Sequence, residues 1–197
     1  MPTSNAISYW EDGQESLVVL KDYFSHLCSA HHPDKILERD EIVLTQNTIT
    51  VFGKKHLEPR LTAWMGPPYQ YSDISWPQQK MTPLIQEMAG LISAQCGFLF
   101  NAVLINYYRN GQDSMGKHRD NEPEIVQTMI ASVSFGASRL IRFTCPEKQQ
   151  KIDIVLNHGD LLLMQNMQDQ WWHELPKRKS VLHPRLNLTF RQIKSKQ

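Results

Sequence analysis

The chain has 197 residues, of which 41% are hydrophobic and 21% are charged, and 21 basic against 20 acidic side chains give a formal net charge of +1. This length suits one compact domain, and the composition excludes a disordered chain, in which low hydrophobicity accompanies high net charge. The neutral total argues against a strongly basic nucleic-acid-binding protein. That total hides an uneven distribution, because positions 174–197 carry seven Lys or Arg residues and one acid.

The sequence also bears on the compartment. No apolar run reaches the roughly 18 residues that a membrane span requires, and the N-terminal residues lack the pattern of a secretory signal. Three scattered cysteines, Cys28, Cys96 and Cys145, form neither an even framework nor a Cys-x-x-Cys pair. We therefore expect an intracellular monomer with no membrane partner, in the nucleus if the source is eukaryotic and in the cytoplasm if it is prokaryotic.

The first elements are predicted from residue spacing. Apolar residues at helical intervals predict a helix over 15–30, within an N-terminal extension of residues 1–47. These apolar residues are Leu17, Leu20, Phe24 and Leu27. Residues 48–55 are rich in β-branched side chains and are interrupted by Gly53, which predicts a strand or hairpin with its tip at that glycine.

An aromatic segment and a helix follow. Residues 66–77 contain three prolines and three large aromatic side chains, which suits an ordered loop. Thr82 and Pro83 then provide an N-cap and a first-turn proline, and Gly97 provides the stop, so a helix is predicted between them.

The remainder of the chain has the pattern of a β protein. Six segments show alternating or short apolar runs between turn residues, which predicts strands. They are 98–108, 128–135, 140–144, 152–156, 160–165 and 185–193. Short strands at close spacing favour a barrel or sandwich. We expect an α+β protein that is mainly β, with a double-stranded β-helix (jelly roll) core that N-terminal helices buttress.

Two polar residues in this β-rich half suggest a metal site. His118 and Asp120 are two positions apart, so on an extended segment they point to the same side. With a third ligand from a distant strand they would form two imidazoles and one carboxylate, the set of non-haem Fe(II) oxygenases. An isolated His-x-Asp is more often a pair of surface loop residues, and eight histidines make a partner easy to find.

A pair of arginines adds weight to that interpretation. Arg185 and Arg191 are six positions apart, which places them on one face of a strand with Asn187 and Thr189 between them. Arginine that points into a barrel is costly unless it meets an anion, and its planar fork suits a carboxylate. An edge strand with solvated arginines is the structural alternative.

Four segments in order carry a resemblance to a known family. Residues 106–125 (NYYRNGQDSMGKHRDNEPEI), 130–143 (IASVSFGASRLIRF), 158–176 (HGDLLLMQNMQDQWWHELP) and 184–191 (PRLNLTFR) are similar to the AlkB family. Its members are Fe(II)- and 2-oxoglutarate-dependent nucleic-acid dioxygenases. The resemblance runs over about 51–193 and is strongest to members that repair alkylated duplex DNA.

The resemblance implies a cofactor site. It makes His118, Asp120 and His173 the iron ligands, with O2 as the oxidant. It also assigns five residues to 2-oxoglutarate. These are Asn106 and Tyr108 as hydrogen-bonding residues, Arg185 as the ion-pair partner, and Thr189 and Arg191 in the same pocket.

The resemblance also implies a substrate surface on residues 48–81, as a hairpin and a nucleotide-recognition lid, followed by the catalytic core over 82–197. Tyr71 would stack on a flipped base opposite His118, next to Ser72, while Tyr69 and Glu122 would contact the polar edge of the base. Val51, Phe52 and Gly53 would form a wedge in the stack. Arg60, Lys177, Arg178 and Lys179 would contact phosphates.

These implications predict oxidative demethylation of 1-methyladenine and 3-methylcytosine in DNA, including duplex DNA. A same-family dioxygenase that acts on RNA or protein and a non-catalytic nucleic-acid-binding module are the alternatives. Trp64 in the approach to the lid and Asn121 after the His-x-Asp depart from the family pattern.

Overall fold

The computed structural model describes residues 5–51, 53–71 and 74–194, and only the backbone of Val51 and Tyr71. The described strands, in chain order, are β1 (Ala6–Asp12), β2 (Glu15–Leu20), β3 (Thr48–Val51), β4 (Lys54–Leu57), β5 (Leu61–Met65), β6 (Tyr69–Tyr71), β7 (Ile74–Trp76), β8 (Ala102–Tyr108), β9 (Met115–His118), β10 (Met129–Gly136), β11 (Arg139–Cys145), β12 (Gln150–Leu156), β13 (Leu161–Gln165), β14 (Trp172–Leu175) and β15 (Arg185–Arg191). The described α-helices are α1 (Lys35–Arg39) and α2 (Pro83–Cys96).

Two antiparallel sheets form the body of the protein. The larger has the order β1-β2-β13-β10-β15-β8-β5, and the smaller has the order β12-β11-β14-β9. Two further hairpins, β3-β4 and β6-β7, stand outside these sheets. The order of the strands in two facing sheets is that of a double-stranded β-helix, so the predicted jelly roll is confirmed.

The larger sheet has an apolar layer on each face, because successive side chains of a strand point to opposite sides. In β10, Ile130 belongs to the cluster between the sheets, whereas Ala131 and Val133 belong to the cluster under α2. Helix α2 begins after Thr82 and ends at Gly97, which has a left-handed φ of 69°. Helix α2 thus lies within the predicted limits and covers the outer face of the sheet.

The N-terminal segment contradicts one prediction. Residues 15–30 form β2, a turn and a short 3-10 helix at Ser25–Leu27, not a long helix. Strand β2 pairs with β1 on one side and with β13 on the other. Its residues Leu17–Leu20 are therefore apolar because both faces are covered, and their helical spacing is coincidental. Residues 66–77 also differ from the predicted loop, since they contain the β6-β7 hairpin.

We expect Leu17→Ala to destabilise the protein by about 2–5 kcal/mol, the cost of a cavity at a buried leucine. Leu17 is fully buried between the two sheets. The free energy of unfolding in urea measures this loss. Ile7→Ala in β1 is the matched control, because Ile7 is 42% exposed. Equal losses for both variants would show that β2 is not part of the core.

No helix among residues 5–51, 53–71 and 74–194 combines the length and the apolar character needed to cross a membrane.

Candidate metal centre and anion pocket

The smaller sheet brings three metal-binding side chains together. His118 ends β9 and His173 lies in β14, and these two residues are directly opposite each other in the ladder. Asp120 follows His118 by two positions and is buried. One ligand atom of each residue lies within 4.8 Å of the others. The arrangement matches the cluster expected from the sequence.

Both imidazoles are held in the form that binds a metal. The Nδ1 atom of His118 lies 2.8 Å from the carbonyl oxygen of Gly116, which can only accept, so Nδ1 carries the hydrogen and Nε2 keeps its lone pair. Burial lowers the pKa of His118, and burial followed by the charge of His118 lowers the pKa of His173 to about 3. Both rings are therefore neutral at neutral pH.

Asp120 is held as a carboxylate by a buried arginine. Arg191 Nη2 donates to Asp120 Oδ1 over 2.7 Å, and both side chains are 3% exposed. Burial by itself would raise the pKa of Asp120, but the charge of Arg191 outweighs it, so this pKa lies well below its usual range. The cluster thus combines one anionic and two neutral ligands.

A cavity extends from this cluster between the sheets. Strand β15 lines it with alternate residues, Arg185, Asn187, Thr189 and Arg191, while Leu186, Leu188 and Phe190 pack into the core under α2. The prediction that the two arginines share an inward face is confirmed, and the edge-strand alternative is wrong, since β15 is paired on both sides.

Arg185 has the properties of an anion-binding residue. It is 2% exposed, donates from Nη2 to the Ser134 hydroxyl over 2.9 Å, and forms no ion pair with a carboxylate among the described residues. Its Nε has no hydrogen-bond partner in that part of the chain. Burial lowers its pKa to about 10, partly offset by Tyr108. An unpaired buried guanidinium is costly, so the site is suited to an added carboxylate.

The neighbouring strand β8 supplies further cavity residues. Asn106 and Tyr108 lie opposite Asn187 and Arg185 in the ladder and line the cavity. Thr189 also lines it, but its hydroxyl donates to Asn187 Oδ1 over 3.1 Å. The described geometry therefore brings together all five residues that the resemblance assigned to cosubstrate binding.

The structure contradicts the predicted phosphate contact of Arg60. It is 5% exposed, and its guanidinium pairs with Glu58 at 2.5 Å and donates to Asn106 Oδ1 at 2.9 Å. Because Arg60 is buried and its Nε and Nη2 atoms are both bound inside the protein, its guanidinium does not reach a phosphate on the surface. The acid two positions earlier in the sequence was the available signal.

Other predicted phosphate contacts are accessible. Lys177, Arg178 and Lys179 are exposed on the loop between β14 and β15. The Arg178 backbone N–H donates to Gly111 O over 2.8 Å, and a side chain at Gly111 would collide with the Arg178 carbonyl, at 1.8 Å. This close approach requires glycine and fixes the basic loop beside the cavity-forming strand β8.

The predicted base-recognition residues are in part described. Tyr69 is 4% exposed and stacks on Trp64 with ring centroids 4.6 Å apart. Its hydroxyl donates a hydrogen bond to the Glu122 carboxylate. Burial and then the charge of Asp120 raise the pKa of Glu122. Trp64, which departs from the family pattern, thus supports Tyr69.

Five members of the predicted substrate surface lie at the ends of the described ranges or just outside them. Gly53 is an exposed turn residue with φ of 75° between β3 and β4, as the sequence predicted. Val51 ends β3, and the Tyr71 backbone pairs with Ile74. Phe52 and Ser72 lie outside the described residues.

Sequence reasoning missed one supporting residue, Arg139. Arg139 is fully buried and donates to three backbone carbonyls, those of Asn110, Asp113 and Pro176. It therefore joins the turn after β8 to the loop after β14. No local spacing signals such a contact, because its partners are 26 to 37 positions away.

Two cations and an aromatic ring form another missed feature, on the outer side of the smaller sheet. Arg119 Cζ lies 4.4 Å and Lys117 Nζ lies 5.7 Å from the centre of the Trp172 ring. All three residues are sequence neighbours of metal ligands, and alternation turns them away from the metal side.

A mainly antiparallel double-stranded β-helix that places two histidines and one carboxylate at the wall of a cavity is the arrangement of a non-haem iron oxygenase. The family model described as "2OG-Fe(II) oxygenase superfamily" matches residues 16–191 of this chain. The chain belongs to this superfamily.

Individual relatives agree with that assignment. "DNA oxidative demethylase ALKBH2" of Bos taurus is 40% identical over 158 residues, which cover 74% of this chain and 57% of the relative. "Alpha-ketoglutarate-dependent dioxygenase alkB homolog 3" of Homo sapiens is 39% identical over 149 residues, covering 69% and 52%. The chain thus spans little more than half the length of these two relatives.

A solved structure shows the same fold. "The structure of OsALKBH1" superposes with a TM-score of 0.64 at 16% identity and covers 93% of this chain and 100% of that chain.

The residues present fit the iron and 2-oxoglutarate of the superfamily. The three donor atoms lie within 4.8 Å of one another, and buried Arg185, whose Nε has no hydrogen-bond partner among the described residues, lines the same cavity. His118, Asp120 and His173 would hold the metal, and Arg185 would bind a carboxylate.

Proposed function

We propose that this protein oxidatively demethylates alkylated bases in DNA, with 1-methyladenine and 3-methylcytosine as substrates and duplex DNA included. The observation that carries the proposal is the cavity that joins the three-residue metal cluster to the buried, carboxylate-free Arg185. The name of the Bos taurus relative, a DNA oxidative demethylase, supports the substrate class, and the name of the Homo sapiens relative, an alpha-ketoglutarate-dependent dioxygenase, supports the cosubstrate. Bound iron with 2-oxoglutarate and O2 would supply the oxidation of the methyl group to a hydroxymethyl group, which leaves the base as formaldehyde, while 2-oxoglutarate would be converted to succinate and CO2.

The protein residues contribute binding and orientation. Arg185 binds the distal carboxylate of the cosubstrate, and Asn106 and Tyr108 donate hydrogen bonds to it. Arg191 keeps Asp120 ionised and oriented as a ligand, as their 2.7 Å contact indicates. The low exposure of these side chains excludes bulk water from the reacting centre.

The substrate base would enter from the side of the β6-β7 hairpin. In this proposal Tyr71 stacks on the flipped base opposite His118, while Ser72 lies beside it and Tyr69 and Glu122 contact its polar edge. The Trp64–Tyr69 stack supports the proposal because it gives this hairpin a rigid aromatic base. Extrusion of the base costs a few kcal/mol, least for a damaged pair.

The deciding experiment is mass-spectrometric detection of demethylation on matched single- and double-stranded methylated oligonucleotides, with and without iron and 2-oxoglutarate. Loss of 14 mass units per methyl group, about the mass of one CH2, only in the complete mixture would support the proposal. A methylated RNA of the same sequence distinguishes the RNA-acting alternative. Absence of demethylation together with absence of 2-oxoglutarate turnover on every substrate would favour a non-catalytic binding module.

We expect Phe52→Ala to reduce repair of duplex DNA by about tenfold or more and to leave repair of single strands within about twofold. An apolar wedge between base pairs offsets a few kcal/mol of unstacking, and a single strand needs no wedge. Initial rates on the paired substrates measure the ratio. Leu57→Ala in β4 is a matched control, because Leu57 is an exposed apolar residue away from the hairpin tip. Equal rates for wild type and Phe52→Ala on duplex DNA would reject the wedge.

We expect Lys177→Ala to lower the slope of log affinity against log salt by about 0.7 on single-stranded DNA, the value for one lost phosphate contact. Fluorescence anisotropy at several salt concentrations gives this slope. Lys151→Ala is the control, because Lys151 is exposed on β12, at the far edge of the smaller sheet from β9. An unchanged slope for Lys177→Ala would show that Lys177 in the basic loop does not contact a DNA phosphate.

A further inference from the structure

A buried ion pair lies directly behind one of the cavity residues. Arg60 Nη2 lies 2.5 Å from Glu58 Oε1, and Arg60 Nε donates to Asn106 Oδ1 over 2.9 Å. The exposed fractions of Glu58, Arg60 and Asn106 are 1%, 5% and 2%. Asn106 lines the cavity, whereas Glu58 and Arg60 do not. The ion pair can therefore act on the cavity only through Asn106.

The contact with Arg60 fixes which end of the Asn106 amide faces the cavity. A guanidinium N–H can only donate, so the amide atom that it meets must be the oxygen. The amide NH2 group is then on the other side, and it makes no hydrogen bond with the described residues. An asparagine without this contact could turn by 180° and present its oxygen to the cavity, where it would repel a carboxylate.

The ion pair is itself firmly anchored. The Glu58 backbone N–H donates to Asn47 O over 2.8 Å, and Gln46 Nε2 donates to Glu58 O over 2.8 Å. The second carboxylate oxygen of Glu58 accepts longer contacts of 3.4 Å from Asn47 and Thr62. Thr62 lies opposite Asn106 in the β5-β8 ladder. The carboxylate, the guanidinium and the amide thus form one connected network with few alternative arrangements.

We propose that Glu58 and Arg60 are positioning residues that hold the Asn106 amide with its NH2 group toward the cavity, where it donates to a carboxylate of 2-oxoglutarate. This inference rests on the proposed function, because it takes 2-oxoglutarate as the occupant of the cavity. It assigns the buried arginine to cosubstrate affinity and not to nucleic-acid binding.

A double-mutant cycle with Arg60→Met and Asn106→Ala tests the assignment. The measured quantity is the dissociation constant of 2-oxoglutarate, determined by calorimetry with Mn(II) in place of iron and without nucleic acid. We expect each single variant to weaken 2-oxoglutarate binding by about tenfold or more, the size of effect seen when a residue that orients a binding side chain is lost. The double variant should be no weaker than Asn106→Ala, because Arg60 acts through Asn106.

Two results would overturn the proposal. One is an unchanged dissociation constant for Arg60→Met, and the other is a double variant whose loss equals the product of the two single losses. Arg142→Met is the matched control, because Arg142 pairs with Asp153 on a solvent-accessible face. It should bind 2-oxoglutarate as wild type does.

Arg60→Met leaves the Glu58 carboxylate buried without its partner, so its thermal unfolding is measured alongside. If this variant does not fold, Glu58→Gln/Arg60→Met takes its place in the cycle, since it removes both charges together. The experiment also separates this inference from the proposed function. Failure of the wild type to bind 2-oxoglutarate would reject the function, whereas wild-type binding with an unaffected Arg60 variant would reject only the positioning role.

Discussion

His118→Ala is expected to abolish demethylation and to weaken metal binding by at least about a hundredfold. Two remaining ligands cannot define three coordination positions, and Asp120 would lose one of the histidines that faces it at 3.9 Å. The His118 ring is also oriented by a contact of 2.8 Å between its Nδ1 and the backbone oxygen of Gly116. Mn(II) affinity measured by calorimetry, together with mass-spectrometric assay of the methylated oligonucleotide, gives both quantities on the same preparation.

A second histidine variant serves as the control for this experiment. His183 is exposed in the loop before β15, and its ring lies 6.5 Å from that of His31, away from the metal cluster. His183→Ala should keep the metal affinity and the demethylation rate of the wild type. Full demethylation by His118→Ala would reject the metal assignment.

Arg191→Met is expected to destabilise the metal-free protein by about 3–5 kcal/mol, the typical cost of removing one partner of a buried ion pair. Asp120 would remain as a buried carboxylate without the guanidinium that lies 2.7 Å from it. Neutral histidines do not supply the missing charge. Urea unfolding in the presence of a chelator measures this loss, and the substituted side chain has a similar length, so the cavity contribution is small.

The same variant should recover part of its stability when a divalent metal is added. A bound cation supplies a positive charge next to Asp120, and binding to the folded state alone stabilises that state. We expect the difference from wild type to be smaller with saturating Mn(II) than with chelator. Lys35→Met is the control, because Lys35 and Glu38 form an exposed pair, and such surface pairs contribute little to stability. An equal loss of stability with chelator and with saturating Mn(II) would show that Arg191 supports the fold and not the metal ligand Asp120.

The sequence alone was sufficient where the information is local. The strand period of two placed Arg185 and Arg191 on one face and Leu188 on the other, and the structure has this arrangement. Pro83 and Gly97 gave the limits of α2 because both residues have backbone restrictions that do not depend on the rest of the fold. The spacing of His118 and Asp120 was informative for the same reason.

The sequence by itself thus determined the mainly β class, the shared side of His118 and Asp120, and the inward arginine face, while His173 was assigned only by the resemblance to the AlkB family. Only the tertiary structure decided that Leu17 lies in a central strand and that Arg60 lies behind Asn106. In both cases the decisive partner is distant in the chain, at β13 for Leu17 and 46 positions away for Arg60. An apolar run fits a helix or a doubly covered strand equally well, and an arginine fits the surface or a buried pair. The choice depends on what covers the residue, and long-range packing supplies that cover.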